Sequence, residues 1–124
     1  MRLTSTFMIG LGGFLGTVAR YWLNAAIQTR AGTLFPLGIL FVNVLGCFAI
    51  GFIATTVAIR GGRTDVVLFL TTGLCGGFTT MSAFGLDTVL LMEERHAGLA
   101  MLNVGTTMGA CLAAVWLGQL AAGR

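Results

Sequence analysis

Between residues 73 and 82 the chain reads Gly73, Leu74, Cys75, Gly76, Gly77, Phe78, Thr79, Thr80, Met81, Ser82. Paired glycines disfavour helix, and two threonines and a serine compete for backbone hydrogen bonds, so a helix passing through this segment is expected to open here. An opened turn presents carbonyls and N–H groups that can coordinate ions. The alternative is a merely kinked helix whose hydroxyls bond back to their own carbonyls. Asn43 has Gly46 one turn later on roughly the same face, and Asn103 is followed by Thr106 and Thr107. Such amides and hydroxyls are either interhelical glue or uncharged donors that replace the water around a small anion without holding it too tightly to leave.

Charged candidates are few. Asp87 reads as a proton-coupling carboxylate or as an interfacial residue near an arginine. Arg20 reads as a snorkelling anchor or as a fixed positive charge that draws anions into a vestibule. Cys47, Cys75 and Cys111 show no C-x-x-C spacing and read as small, polarizable packing residues. His96 stands beside Glu93 and Glu94 and reads as solvated. Gly10, Gly12, Gly13 and Gly16 do not have the G-x-G-x-x-G spacing of a dinucleotide loop, and no strand precedes them. With no serine–histidine, cysteine–histidine or metal-ligand constellation, an enzyme is not expected.

The elements that must hold these residues follow from composition. The chain has 124 residues, 56% hydrophobic and 9% charged, with 19 glycines, one proline, and a mean hydropathy of +0.95. A soluble domain is about a quarter charged, so this is an integral membrane protein. No length is left for a soluble catalytic or nucleic-acid-binding domain, and the net charge of +3 is not gathered into a basic stripe. Charge clusters bound four apolar stretches, 4–27, 35–59, 66–92 and 97–122, each long enough to span a bilayer as a helix. The expected fold is all-α: four transmembrane helices in a single domain of the inner cell membrane, the third broken near residue 79, midway along its span. Arg20-Tyr21-Trp22 marks an interfacial anchor rather than a signal cleavage site. Short connections make consecutive helices antiparallel neighbours. Three G-x-x-x-G pairs, Gly12/Gly16, Gly73/Gly77 and Gly105/Gly109, allow close helix approach.

Four spans put both termini on one side. Arg2, Arg60, Arg63 and Arg124 then face Arg30 and Arg95, with Arg20 joining the latter if it snorkels outward. That bias is weak, so the chain is expected to insert both ways and to pair as an antiparallel homodimer.

At this point the residues resemble a known family. Gly12-Gly13-Phe14-Leu15-Gly16-Thr17-Val18-Ala19-Arg20-Tyr21 is similar to the first-helix G-G-x-x-G-x-x-x-R-[YW] pattern of the small fluoride channels, the Fluc or CrcB family. Val42-Asn43-Val44-Leu45-Gly46-Cys47-Phe48 resembles its second-helix V-N-x-x-G-x-F. The string from Gly73 to Phe84 is similar to its third-helix G-x-x-G-G-[FL]-T-T-F-S-T-F, and Leu102-Asn103-Val104 to the start of its fourth-helix motif.

The resemblance implies a dual-topology antiparallel homodimer with two fluoride pores and one structural sodium ion at the dimer centre, held by the carbonyls of Gly77 and Thr80 from both chains. It implies passive fluoride efflux, in which Asn43 donates its amide, Phe84 offers its positive ring edge, Ser82 adds a hydroxyl and Arg20 sits at the vestibule. Thr79, Met81 and Asn103 complete the expected pore residues. Met81 stands where the family usually has a second pore phenylalanine, Ala83 where it has threonine, and Thr107 where it has asparagine. Two rivals come from other classes. A small proton-coupled multidrug exporter needs an acid in the first span, and there is none. A structural membrane subunit would use the same polar residues only to pack helices, without ion flux.

Overall fold

The computed structural model describes residues 3–123, and Arg2 and Arg124, counted in the orientation argument, lie outside them. Helix α1 spans Leu3–Ala31 and α2 spans Leu37–Arg60. The segments Thr64–Leu68, Phe69–Cys75 and Gly76–Phe78 run on from one another and form α3 (64–78), whose middle segment is wound as a π-helix. Helix α4 covers Met81–Glu93 and α5 covers Ala97–Ala121. No strand occurs among the described residues, and the protein is all-α.

Three stretches are long and apolar enough to cross a membrane: Leu37–Arg60, Thr64–Glu93 and Ala97–Ala121. Helix α1 has the length, with 29 residues, but Thr4, Ser5, Thr6, Arg20, Asn24 and Gln28 dilute its apolar character. It also runs past Ile27, into the expected loop. Gln28 explains why the turn is tied down there. Its Nε2 donates to the carbonyls of Thr33 (2.8 Å) and Phe35 (3.1 Å), while its Oε1 accepts from the Gly38 N–H at 3.1 Å. Pro36, which precedes α2, makes no side-chain cap, so Gln28 supplies an acceptor for the orphan donors of that helix start.

Helices α1 and α3 form one closely packed pair, α2 and α5 the other. In the first pair, a Cβ on Gly12 would run into the Phe69 carbonyl oxygen and one on Gly16 into the Leu74 carbonyl oxygen; reciprocally, one on Gly73 would lie 2.8 Å from the Ile9 carbonyl oxygen. Two of the three glycine pairs read from the sequence therefore face each other. In the second pair, Gly51 lies against the Val115 carbonyl and Gly118 against the Phe48 carbonyl. Gly105 and Gly109 have nothing within 4 Å and face outward.

The buried residues include Asn43, Thr55, Thr80, Asn103 and Thr107, whereas Phe7, Phe14, Trp22, Phe41, Leu86, Met101, Leu112 and Trp116 are exposed. Polar groups inside and large apolar groups outside suit a lipid solvent, where the interior must satisfy every hydrogen bond and the surface need satisfy none.

Candidate ion pathway

Between Phe78 and Met81 the helical path is interrupted. Thr79 (φ −83°, ψ 158°) and Thr80 (φ −151°, ψ 115°) are extended. Two extended residues strand the carbonyls that end α3 and the N–H groups that start α4, and side chains from α1 and α2, with those of the two threonines themselves, answer them.

From α1, the Arg20 Nε donates to the Gly77 carbonyl at 3.2 Å and the Thr17 hydroxyl donates to the same oxygen at 3.4 Å. A cation at the negative end of a helix is favoured by its dipole. From α2, Asn43 takes both polar groups of Thr80: its Nδ2 donates to the Thr80 carbonyl at 3.0 Å, and its Oδ1 accepts the Thr80 N–H at 2.7 Å. The side-chain amide thus stands in for the peptide group of a missing strand. Gly46, one turn on, opens the space that the Thr79 methyl occupies, since a Cβ there would collide with it. Thr79 bonds locally, its N–H and its hydroxyl both donating to the Cys75 carbonyl at 3.0 and 3.1 Å. Thr80 caps α4, its Oγ1 accepting the Ala83 N–H at 3.2 Å and lying 3.2 Å from the Ser82 hydroxyl. The positive end of α4 therefore points at the interruption.

A second polar chain leads away from it. Thr107 donates to the Asn103 Oδ1 (3.2 Å), the Asn103 Nδ2 donates to the Thr88 hydroxyl (2.9 Å), and that hydroxyl donates to the Phe84 carbonyl (2.7 Å). Asn103 and Thr107 are almost wholly buried, at 1% and 2% exposure. No buried side-chain nitrogen or oxygen among the described residues lacks a partner.

An open groove of about 340 Å³ runs beside the interruption, lined by Asn43, Thr79, Thr80, Met81 and Thr107 among others. Met81 is exposed, and Ser82 is exposed beside it. Phe84 and Asn103 are buried and do not line the groove, and Arg20, also outside its lining, is bonded to Gly77. Of the expected site residues, the fold thus joins Asn43, Thr79, Thr80 and Met81 in one wall, links Ser82 to them through Thr80, and sets Phe84 and Asn103 behind on the α4–α5 relay. Four contributors were not singled out as site residues: Gly46, Thr17, Thr88 and Thr107. The i, i+3 spacing of Thr17 with Arg20 and the i, i+4 spacing of Asn103 with Thr107 were the available signals. Asp87 borders a separate cavity of about 420 Å³ with Asn24, Gln28, Thr33 and Glu94.

A family model described as "CrcB-like protein, Camphor Resistance (CrcB)" matches residues 7–119. The chain is 43% identical over 119 residues to a protein of Cereibacter sphaeroides named "Fluoride-specific ion channel FluC", covering 96% of this chain and 94% of that one. A protein of the same name from Opitutus terrae is 46% identical over 118 residues (92% and 89% covered), and one from Sorangium cellulosum 44% identical over 121 (95% and 94% covered). These relatives are named as channels, not as enzymes. With a family match over nearly its whole length and three long apolar helices, the chain is a multi-pass cell-membrane protein and belongs to the CrcB-like family.

Proposed function

We propose that the chain is a fluoride-selective channel through which fluoride leaves the cytoplasm passively, lowering its concentration there. The observation that carries this reading is the interruption at Thr79–Thr80, held open by Asn43 beside a groove whose polar groups are uncharged. Each Asn43 amide nitrogen has two hydrogens, and one is used on Thr80. The other, with the Ser82 hydroxyl and the positive end of α4, is the donor set for a small anion. Passive flow needs no proton carrier and no reacting side chain.

The working unit in this reading is an antiparallel, dual-topology homodimer with two pores, α1 serving as the fourth span at each copy's edge and the interruption lying at the bilayer midplane. The open groove supports it, since one copy does not enclose a path. A structural sodium ion fits the donor set. The Gly77 and Thr80 carbonyls are neutral oxygens, and each carbonyl oxygen has two lone pairs. Thr80's is shared with one donor only, whereas Gly77's already accepts from both Thr17 and the cationic Arg20 and would have to give up one of them, so Thr80's is the stronger ligand. Two oxygens from one chain do not fill a cation's shell, which calls for the same pair from a second copy. Bound there, the ion would neutralise carbonyl dipoles at the two-fold axis.

The deciding experiment is fluoride efflux from liposomes carrying the purified chain, with chloride as the comparison anion. Rapid fluoride loss with chloride retained is the expected result; vesicles tight to both overturn the reading. A structural subunit has one observation in its favour, because both ends of the Asn43 amide are used within the fold. It predicts tight vesicles from stable, well-folded protein.

A further inference from the structure

The three cysteines are far apart in sequence, yet all three line the groove beside Asn43: Cys47 from α2, Cys75 from α3 and Cys111 from α5. None is in a disulfide. Met81 and Met108 line the same groove, so five sulfur atoms border one opening. Cys47 and Cys111 are half-buried, and each lies one turn before the touching residues Gly51 and Val115, which makes them neighbours across the α2–α5 pair. Among the described residues no three histidine, cysteine, aspartate or glutamate side chains converge on one point. A structural zinc centre calls for four such ligands, more than these residues bring together within one chain. Two adjacent thiols in an apolar, thioether-bordered groove suit soft ions that accept two sulfur ligands.

We propose that this groove binds a thiophilic d10 cation, Hg(II), Ag(I) or Cu(I), between the sulfurs of Cys47 and Cys111. With mercuric chloride as the source, each thiol sulfur replaces one chloride. Two Hg–S bonds form, two Hg–Cl bonds break, and two protons leave with the two chlorides; no electron is transferred. The bound ion ties α2 to α5 beside Asn43. In the channel reading proposed above, on which this last consequence rests, it obstructs the anion path.

Full-length protein, freed of reductant, is loaded with mercuric chloride and passed over a thiol-bearing resin that strips ions held by one sulfur. Wild type is expected to keep one mercury per chain, Cys75→Ala to keep it as well, and Cys47→Ala and Cys111→Ala each to lose it. Stripped wild type, or retention by either of the last two variants, overturns the site. Should those variants misfold, alkylation of loaded wild type decides: Cys47 and Cys111 become protected together, and protection of neither or of only one overturns the proposal. In liposomes mercuric chloride is expected to stop fluoride efflux by wild type. Protein that holds mercury but never passes fluoride defeats the channel and leaves the site standing, whereas protein that passes fluoride but does not hold mercury defeats the site alone.

Discussion

Asn43 carries two hydrogen bonds to one backbone residue, and few side chains have the shape to do that. Asn43→Ala leaves the N–H and carbonyl of the buried Thr80 without their partner, at roughly 1–3 kcal/mol for each group. We expect a lower unfolding midpoint in detergent and loss of fluoride efflux, and an unchanged midpoint would contradict the pairing. Phe84 and Met81 test the ring-edge role that the family resemblance implies, since Phe84 itself is buried behind the groove. Phe84→Ile is expected to weaken fluoride flux more than Met81→Phe alters it, because only an aromatic ring has a positive edge to offer; equal flux for wild type and Phe84→Ile would defeat the expectation. The types of these residues were legible in the sequence, and so was the pairing of Asn43 with Gly46 on one face. That the amide answers Thr80 was not, because the partner lies on another helix and only the packing of α2 against the interruption brings them together.

At the scale of elements, glycine contacts set which helices touch. Gly16→Val drives a branched side chain into the Leu74 carbonyl and must separate α1 from α3, an overpacking cost of about 1–3 kcal/mol. Gly109→Val meets nothing within the chain. Monomer stability in detergent should therefore fall for the first and hold for the second; an equal fall in both would show that the α1–α3 contact does not matter. The G-x-x-x-G spacing marked all three glycine pairs alike, since spacing says that close approach is possible and not what approaches. Charge clusters bound the apolar stretches because an arginine or glutamate is costly in hydrocarbon. Helix α1 outran its expected end because Gln28 bonds the following loop, an interaction that apolar counting does not register.

For the whole molecule, the proposed assembly makes two measurable demands. Reporters fused to the C-terminus should be active on both sides of the membrane, and activity on one side alone would sink dual topology. Replacing sodium with a bulky organic cation should lower the yield of crosslinked dimer, because the facing carbonyls of Gly77 and Thr80 would then repel; a yield indifferent to sodium argues against the ion. The charge balance suggested this arrangement from sequence, while the outward-facing Gly105 and Gly109 leave α5 a smooth surface on which another helix can lie.

The two tightly interlocked pairs, α1 with α3 and α2 with α5, meet at the Asn43–Thr80 clasp. Anyone wishing to retune the proposed pathway should therefore leave the glycine seams intact and vary what surrounds that clasp, whose geometry is set by one amide rather than by a whole interface.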